Sequence, residues 1–496
     1  MTAMIETGWP ELMIDPFEDK PREECGVFGV FGAKHAASLA VLGLHGLQHR
    51  GQEACGIAAF DGKRFASERH LGLVAENFSG DNVVDRLPGD AAIGHVRYST
   101  QGDAALRNVQ PLYADLKSSG IAVAHNGNFT NARHLRQQLV DEGAIFQSTS
   151  DTEVVLQLLA RSRRTKLVDR FVDALKQIEG AYALVALTNK KLIGARDPYG
   201  IRPLVLGKLD NSYILVSETC ALDMIGASFV RNIEPGEVVI IGKNGSIRSI
   251  HPFPNVKPRP CIFEFVYFAR PDSYVDGKNV YQVRKNMGHN LALEHPADVD
   301  VIVPVPDSGV PAAIGFAQQS GIPFELGIIR NHYVGRTFIQ PTQAIRDMGV
   351  RMKHAANRGV LAGKRVLLVD DSIVRGTTSL KIVRMVRDAG ATEVHFRSAS
   401  PKICHPDFYG INLSDRKKLI AATHSLEEMR QKLEVDSLGF LSVDGLYRAM
   451  GESAREADNP KFADHYFTGD YPTRLYDHEH DKSDKDLQLS LLSEVA

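Results

Sequence analysis

The sequence has few of the features that mark secreted, membrane-bound or nucleic-acid-binding proteins. Its five cysteines, at positions 25, 55, 220, 261 and 404, are odd in number and widely scattered, which is typical of a reducing compartment. No apolar run approaches the ~18 residues that a membrane helix needs. The 58 basic and 60 acidic side chains give a formal net charge of -2, which argues against a general nucleic-acid coat or a polybasic membrane binder. We therefore expect a cytoplasmic protein with no nucleic-acid or membrane partner.

The 496 residues are 43% hydrophobic and 24% charged, which is an ordinary globular composition. This length suggests two to four domains and allows sizeable cores without disulfides. Residues 1–24 differ from the rest, because they carry seven acidic and two basic side chains and the single tryptophan, Trp9. They have neither the apolar stretch of a secretory signal nor the arginine-rich, acid-poor composition of a mitochondrial presequence. A disordered tail and a propeptide remain as alternatives.

A series of short motifs begins directly after this segment. Cys25 opens a run of alternating apolar residues and glycines that predicts a buried strand. Taken singly, such a cysteine is typical of a small buried residue and an Asn-Gly pair of a turn. The further motifs, in chain order, are HRGQE at 49–53, GHVRYST at 94–100, HNGN at 125–128 and STSDTE at 148–153. Together, from Cys25 to about residue 255, they resemble the glutamine amidotransferases whose nucleophile is an N-terminal cysteine, the Ntn-hydrolase type.

The resemblance implies that Cys25 is the nucleophile. A thiol with a pKa of about 8.5 attacks a carboxamide as thiolate and needs a base close by. The α-amino group of a chain-terminal cysteine, with a pKa of about 7.7 to 8.0, can take that proton at neutral pH. This base exists only if Cys25 is the first residue of the working chain. We therefore expect residues 1–24 to be a propeptide.

The same resemblance assigns the other residues of the glutaminase site. The Asn126 side chain and the Gly127 backbone N–H would stabilise the oxyanion of the tetrahedral intermediate. Arg97 suits the α-carboxylate of glutamine, because a guanidinium makes two parallel charge-assisted hydrogen bonds. Asp151 would bind the α-ammonium group, and Thr100 would add a carboxylate contact.

A second pattern, in the other half of the chain, predicts a phosphate site. The apolar run 364–369 indicates a buried parallel strand, and it ends in Asp370-Asp371 and a hydroxyl-rich loop before a helical pattern over 380–388. Backbone N–H groups at a helix N-terminus can hold a phosphate monoester, although a strand followed by such a loop is also common scaffolding. The Gly-x-x-x-x-Gly-Lys-Ser/Thr pattern of a Walker loop is absent from this segment.

Residues 366–379, VLLVDDSIVRGTTS, resemble the 5-phosphoribosyl-1-pyrophosphate (PRPP) signature of type I phosphoribosyltransferases. This implies that Asp370 and Asp371 bind the ribose hydroxyls and help to hold Mg²⁺, which prefers a few protein oxygens besides phosphates and water. A second strand, 299–303, leads into the expected pyrophosphate loop at 304–309, where Ser308 would lie on the magnesium side. The residues implied for the 5′-phosphate are Ser372, Arg375, Gly376, Thr377, Thr378 and Ser379.

The basic segment 331–353 lies between these two loops. A solvated basic helix and a mobile loop that closes over PRPP are both consistent with its composition. The resemblance to the phosphoribosyltransferases favours the loop, with Arg336 and Lys353 as PRPP contacts.

An N-terminal-cysteine glutaminase followed by a PRPP domain resembles the amidophosphoribosyltransferase family, from Cys25 to about Gly451. The implied reaction passes ammonia from glutamine to PRPP and gives 5-phosphoribosylamine, glutamate and pyrophosphate, the first committed step of de novo purine synthesis. The implied fold is an αββα Ntn sandwich over 25–255, then an α/β phosphoribosyltransferase domain with a mostly parallel sheet over 256–451. Residues 452–496 would form a partly disordered tail that is ordered to about Pro472, because residues 467–472 resemble the family there. The family also implies feedback by purine nucleotides and a homo-oligomer, either dimer or tetramer.

The sequence departs from part of the family in its cysteines. Members with a propeptide often carry a four-iron four-sulfur cluster on four cysteines. Cys261 matches one of them, but Asp407 takes the place of a second, and no cysteine follows Cys404. A cluster needs about four thiolates, so we expect Mg²⁺ and no cluster, with Cys404 a plain buried residue.

Three other functions each share part of this sequence pattern. A glucosamine-phosphate aminotransferase would need sugar-phosphate isomerase-like domains in place of residues 366–379. A PRPP-sensing DNA-binding regulator would need a basic helix-bearing domain, which a chain with a glutaminase half and a net charge of -2 does not suggest. A catalytically degenerate PRPP-binding paralogue remains an alternative, although every expected site residue is present.

Overall fold

The structure is a computed structural model that describes residues 25–80, 83–98, 105–116, 119–242, 245–254, 256–331, 354–411, 413 and 415–478. Thr100, Arg336, Lys353 and the predicted propeptide lie outside the described residues. All five cysteines lie within them, and none forms a disulfide. In the described part of the chain, no helix has the length and apolar character that crossing a membrane requires.

The first half of the chain forms two antiparallel sheets. Their strands are β1 (Gly26–Phe31), β2 (Ala54–Phe60), β3 (Phe65–Leu71), β4 (Ala91–Arg97), β5 (Leu112–Leu116), β6 (Ser119–Phe129), β7 (Gly180–Thr188), β8 (Lys191–Arg196), β9 (Val205–Leu209), β10 (Ser212–Val216), β11 (Ser228–Asn232), β12 (Val238–Gly242) and β13 (Ile247–Ile250). The first sheet has the order β11-β9-β10-β1-β4-β2-β3, and the second has the order β13-β12-β8-β7-β6-β5. The strand that follows Cys25 therefore lies in the middle of the first sheet.

Helices cover the outer face of each sheet. Helices α1 (Ala36–Gly46), α2 (Val74–Phe78) and α6 (Thr219–Met224) share one core with the first sheet. Helices α3 (Ala132–Asp141), α4 (Thr152–Arg161) and α5 (Leu167–Leu175) share another with the second sheet. A third core of buried aliphatic side chains joins the inner faces of the two sheets. This confirms the four-layer αββα arrangement that the sequence predicts.

The second half of the chain is built around a parallel sheet. Its elements, after a π-helical turn at Glu264–Phe268, are β14 (Tyr274–Val275), β15 (Lys278–Asn279), α7 (Val280–Glu294), β16 (Val301–Pro304), α8 (Val310–Ser320), β17 (Ile328–Arg330), β18 (His354–Ala356), α9 (Arg358–Leu361), β19 (Arg365–Asp370), α10 (Thr377–Asp388), β20 (Glu393–Ser398), α11 (Ile420–Thr423), α12 (Leu426–Lys432), β21 (Ser437–Phe440), α13 (Val443–Ala449) and α14 (His465–Thr468). The sheet has the order β16-β19-β20-β21, and all its pairs are parallel. The carboxyl ends of β16 and β19 therefore meet at one edge, where open α/β sheets bind ligands.

The part of the C-terminal segment that the structure describes, residues 452–478, packs against the rest of the chain. Ala463 forms a parallel bridge with Cys261, and α14 is buried against the second half. Further on, the Asp477 carboxylate accepts hydrogen bonds from the backbone N–H groups of Arg133 (2.8 Å) and His134 (3.0 Å) at the start of α3. Packing thus continues to His478, the last described residue, and the segment contacts both halves of the chain.

Candidate active site

Cys25 is buried directly before β1, the strand in the middle of the first sheet. Its side chain is 8% exposed, and its thiol donates to the Tyr98 carbonyl oxygen over 3.5 Å. The Arg50 guanidinium donates from Nε to the Cys25 carbonyl oxygen at 3.1 Å. The nucleophile candidate is therefore held by its backbone, while its sulfur faces the end of β4.

Two predicted substrate-binding residues act on this thiol electrostatically. Burial raises the pKa of Cys25 to about 11, the nearby Arg97 charge lowers it, and Asp151 raises it. Arg97 is the last residue of β4, and Asp151 directly precedes α4. Both are buried, with opposite charges, beside the candidate nucleophile. This is a suitable pair for the two charged ends of an α-amino acid.

Asp151 is held as a carboxylate by its neighbours. The backbone N–H of Phe129 donates to its Oδ2 at 3.1 Å, and His125 Nδ1 lies 3.6 Å from the same oxygen. Burial by itself would raise the pKa of Asp151, but His125 and the backbone N–H groups of Phe129 and Thr152 outweigh it and hold the pKa below its ordinary value. An anionic Asp151 can accept from a substrate ammonium group.

The end of β6 supplies unusual hydrogen-bonding groups. Asn126 is fully buried, and neither its side-chain nitrogen nor its oxygen has a hydrogen-bond partner within the described residues. Leaving such an amide unpaired costs about 1–3 kcal/mol per group, so this arrangement indicates a site that a ligand completes. The next residue, Gly127, has φ 136°, and a Cβ there would lie 2.1 Å from the Ala181 carbonyl oxygen. Only glycine fits at this position.

A second candidate site lies where β16 and β19 end. Asp370, Asp371 and Ser372 are buried at the carboxyl end of β19, and the Ser372 hydroxyl donates to Asp371 Oδ2 at 2.7 Å. In the loop after β16, a Cβ on Gly309 would lie 2.4 Å from the Val369 carbonyl oxygen. The two loops therefore touch at Gly309, and Ser308 directly precedes this glycine in the chain.

The predicted 5′-phosphate loop runs from Ser372 into α10. Gly376 directly precedes this helix, Thr377 is its first residue, and Ser379 is buried in its first turn. Arg375 and Thr378 are half-buried at the same helix N-terminus. The loop therefore gathers hydroxyls, a guanidinium and helix N–H groups, all of which favour an anion. Its acidic neighbours, Asp370 and Asp371, offer the oxygen ligands that Mg²⁺ prefers.

The chain is similar to known proteins over both candidate sites. A glutamine amidotransferase domain family matches residues 95–224, and a phosphoribosyl transferase domain family matches residues 272–399. The amidophosphoribosyltransferase of Rhizobium etli is 62% identical over 470 residues, which cover 93% of this chain and 95% of that protein. The amidophosphoribosyltransferase of Bacillus subtilis is 50% identical, covering 92% and 95%. The chain belongs to the amidophosphoribosyltransferase family.

A solved member of the family has the same fold. The structure of the B. subtilis glutamine PRPP amidotransferase, complexed with ADP and GMP, superposes with a TM-score of 0.87 at 48% identity. The alignment covers 92% of this chain and 98% of that one. The order of the two halves and their sheets is therefore that of an amidophosphoribosyltransferase.

The positions that resemble the cluster ligands of some amidophosphoribosyltransferases lie together in the second half. Cys261 Sγ is 3.3 Å from the Tyr466 hydroxyl oxygen, and Asp407 Oδ1 accepts from His465 Nε2 at 2.8 Å. Within the described residues, Cys261 belongs to no group of three histidine, cysteine or acidic side chains spaced to hold a metal. Cys404 is half-buried, not buried as predicted, because its thiol points to the Ala421 carbonyl oxygen at the edge of the core.

Sequence reasoning missed the charged network behind Cys25. Arg50 pairs with Glu218 (2.5 Å) and with Glu264 (2.7 Å), and all three are buried. Glu218 Oε2 also accepts from the backbone N–H of Arg270 and the hydroxyl of Ser273. Both lie in residues 264–273, which join the two halves and are here named the junction. Arg50 stands in the quoted HRGQE motif, but its partners lie 168 and 214 residues away, and no local pattern points to them.

Proposed function

We propose that the protein hydrolyses glutamine at Cys25 and transfers the ammonia to PRPP at the site around Asp370, giving 5-phosphoribosylamine, glutamate and pyrophosphate, the first committed step of de novo purine synthesis. Membership of the amidophosphoribosyltransferase family supports this reaction. The observation that carries the glutaminase half is the fully buried Asn126 amide, whose polar atoms have no partner in the described part of the chain. The domains would be 25–255 and 256–451, followed by the C-terminal segment.

In the glutaminase half, the Cys25 thiolate attacks the carboxamide carbon of glutamine. The Asn126 amide and the Gly127 N–H stabilise the oxyanion of the tetrahedral intermediate. When the intermediate collapses, the C–N bond breaks, ammonia leaves with the proton taken from the thiol, and a thioester remains on Cys25. Water then hydrolyses the thioester to glutamate and restores the thiol. Arg97 and Thr100 hold the substrate carboxylate, and Asp151 holds its ammonium group.

The proton that leaves Cys25 needs a base of suitable pKa. Burial raises the pKa of Cys25 to about 11, so the thiol stays protonated at neutral pH unless a base close by accepts the proton. We assign this base to the α-amino group that cleavage before Cys25 would create, which makes residues 1–24 a propeptide. Intact mass and N-terminal sequencing of the active protein test this. Because Trp9 is the only tryptophan, a fully active sample that emits tryptophan fluorescence would contradict it.

In the second half, PRPP would be bound by its phosphates and its ribose. Residues Ser372 to Ser379 hold the 5′-phosphate, and Asp370 and Asp371 bind the ribose hydroxyls. Together with Ser308, the two aspartates would also hold Mg²⁺, which when bound offsets the charge that develops on pyrophosphate as the C1–O bond breaks. Arg336 and Lys353 would contact PRPP from the segment that closes over it, so that ammonia and not water reaches C1.

Further properties follow from the family. The ADP and GMP in the B. subtilis structure support feedback inhibition by purine nucleotides, and we propose a cytoplasmic homo-oligomer, dimer or tetramer. We also propose that this member holds no iron-sulfur cluster, which the pairing of Cys261 with Tyr466 and of Asp407 with His465 supports. Iron and sulfide analysis that finds about four irons per chain would contradict this.

The proposed reaction is tested by Cys25→Ser. Glutamine-dependent formation of phosphoribosylamine should fall by about 10³-fold or more, because the serine hydroxyl is a far weaker nucleophile. Ammonium-dependent formation should be unchanged, since that route does not use the thiol. Cys404→Ser, at a half-buried cysteine outside both sites, is the matched control. Undiminished glutamine-dependent activity in Cys25→Ser would show that Cys25 is not the nucleophile.

A further inference from the structure

The loop that follows Asp407 in the second half is organised by that residue's carboxylate. Asp407 Oδ2 accepts from the backbone N–H groups of Tyr409 (2.9 Å) and Ile411 (2.7 Å). The side chain is 2% exposed. One carboxylate oxygen therefore determines the conformation of residues 407–411, here named the Asp407 loop.

The other carboxylate oxygen fixes the Asp407 loop to the C-terminal segment. His465 Nε2 lies 2.8 Å from Asp407 Oδ1, and the imidazole is fully buried. The Tyr409 ring meets the same imidazole edge-on, with ring centroids 5.0 Å apart. A buried carboxylate with these partners has little freedom to move, and its position is set by two distant parts of the chain.

The Asp407 loop rests on the strand that ends in the proposed oxyanion groups. Asn128 Nδ2 donates to the Phe408 carbonyl oxygen at 2.8 Å. A Cβ on Gly410, which has φ 128°, would lie 3.3 Å from both Cα and the carbonyl carbon of Gly127. The positive φ favours glycine at this position, and a Cβ there would press on the backbone of Gly127.

A second contact fixes the Asp407 loop from the glutaminase side. The fully buried Arg202 donates from Nε (3.1 Å) and Nη2 (2.7 Å) to the Tyr409 carbonyl oxygen. Gly127 itself is confined on its other side by the Ala181 carbonyl oxygen of β7. The backbone at Gly127 is therefore enclosed between β7 and the Asp407 loop.

We propose that Asp407 is a positioning residue for glutamine hydrolysis, which acts by holding the Asp407 loop against Asn128 and Gly127. This inference rests on the proposed oxyanion role of Asn126 and Gly127. Donors aimed at an oxyanion act only in the correct place, and a misplacement of about 1 Å can cost about 10²-fold in rate. Asp407 touches no reacting atom, so its effect passes through the loop to the Gly127 N–H.

The test compares Asp407→Asn with Asp415→Asn, an exposed acid in the same region. Asparagine keeps the size of the side chain but removes its negative charge, so the hydrogen bonds that His465 and the loop N–H groups make to it become weaker. We expect kcat for glutamine hydrolysis, measured with PRPP and Mg²⁺ present, to fall about tenfold with KM within twofold. Ammonium-dependent activity should be unchanged, which also shows that the variant is folded, and Asp415→Asn should match the unaltered protein.

A second variant reaches the same contact without changing the buried pair. Gly410→Ala should push on Gly127 and lower kcat for glutamine hydrolysis by a similar factor. An independent readout is the inhibition constant of glutamate γ-semialdehyde, which adds the Cys25 thiol to its carbonyl carbon and gives a tetrahedral hemithioacetal with its hydroxyl in the proposed oxyanion position. A role in positioning raises this constant about tenfold in both variants, whereas a purely structural role leaves it unchanged.

The outcomes separate this inference from the proposed function. Loss of kcat in Asn126→Ala, with unchanged kcat in Asp407→Asn and Gly410→Ala, overturns only the role of Asp407. Unchanged kcat in Asn126→Ala overturns the oxyanion assignment itself. An equal fall in ammonium-dependent activity would mean that Asp407 supports the fold in general, and it would also overturn the positioning role.

Discussion

Two buried side chains of opposite charge, Arg97 and Asp151, act on the Cys25 thiol where glutamine is proposed to bind. Arg97 lowers the pKa of the thiol and Asp151 raises it, but the effect of burial is larger than either. A zwitterionic α-amino acid placed between Arg97 and Asp151 would pair with both charges. Substrate binding would thus pair both buried charges beside the nucleophile and offset their opposite effects on the thiol.

We predict that Arg97→Lys weakens the binding of glutamine. Lysine keeps the charge but cannot make two parallel hydrogen bonds to a carboxylate. The KM for glutamine should rise about tenfold, with a smaller change in kcat and none in ammonium-dependent activity. Steady-state kinetics of glutamate release would measure this. Arg86→Lys, at an exposed arginine that pairs with Glu68, is the control, and an unchanged KM in Arg97→Lys would rule out a carboxylate contact.

Single residues also show where sequence interpretation reaches its limit. Cys25, Arg97 and Asp151 could be proposed because each stands in a short motif and the motifs occur in a fixed order. Glu218 and Glu264 could not, since a buried carboxylate is recognisable only from its partner, and that partner lies far away in sequence. Asp407 was noticed for the cysteine it replaces, but its contacts with the loop depend on the packing of two halves.

Among the elements, α3 depends on a residue more than 300 positions away. Its own N-cap, Asn131, makes no capping hydrogen bond, and the Asp477 carboxylate accepts from the N–H groups of Arg133 and His134 instead. A carboxylate at a helix N-terminus also interacts favourably with the helix dipole. The C-terminal segment therefore completes a helix of the glutaminase half, close to the strand that carries Asn126.

We predict that Asp477→Ala loosens the start of α3. Loss of an N-cap costs about 1 kcal/mol, so hydrogen exchange in peptides that cover 131–141 should become faster by about fivefold. Asp141→Ala, at the other end of the same helix, is the control, because Asp141 leaves the N-terminal N–H groups untouched. Exchange that is unchanged in Asp477→Ala would mean that the cap is replaced by water at no cost.

Elements with strong local signals were predicted well, and those that depend on distant contacts were not. The apolar run at 364–369 corresponds to β19, and the helical pattern at 380–388 corresponds to α10, which begins earlier, at Thr377. The earlier start has a physical reason: the hydroxyl-rich loop itself supplies the first turn of the helix. The order of residues 473–478 could not be predicted, because these polar residues have no apolar periodicity and gain their partners only in the folded chain.

On the scale of the whole molecule, buried ion pairs join the two halves. Arg50 comes from the glutaminase half and Glu264 from the π-helical turn at the junction. Glu218 accepts hydrogen bonds from Arg50 and from two residues of the junction. Buried pairs are a weak source of net stability, but removing one partner leaves an uncompensated charge and typically costs about 3–5 kcal/mol. The network also holds the Cys25 carbonyl through Arg50, so the junction and the nucleophile share one set of contacts.

From this network we predict how acid changes the stability of the protein. Burial alone would raise the pKa of Glu218, but His49 and Arg50 outweigh it and hold the pKa well below its ordinary value of 4.5. Because the unfolded chain binds this proton more readily, the contribution of Glu218 is complete above about pH 5 and is lost as the pH falls. Glu218→Gln should therefore be less stable by about 3 kcal/mol at pH 7, and the difference should shrink as the pH approaches 4.

Urea unfolding at pH 7, 5.5 and 4 measures this difference directly. The exposed Glu456→Gln is the control and should follow the unaltered protein at each pH, because charges on the surface contribute little to stability. A deficit in Glu218→Gln that stays constant from pH 7 to 4 would show that the side chain stabilises the protein by packing and not by its charge. A shrinking deficit, together with an unchanged slope in urea, would place the acid sensitivity of the junction in this one ion-paired carboxylate.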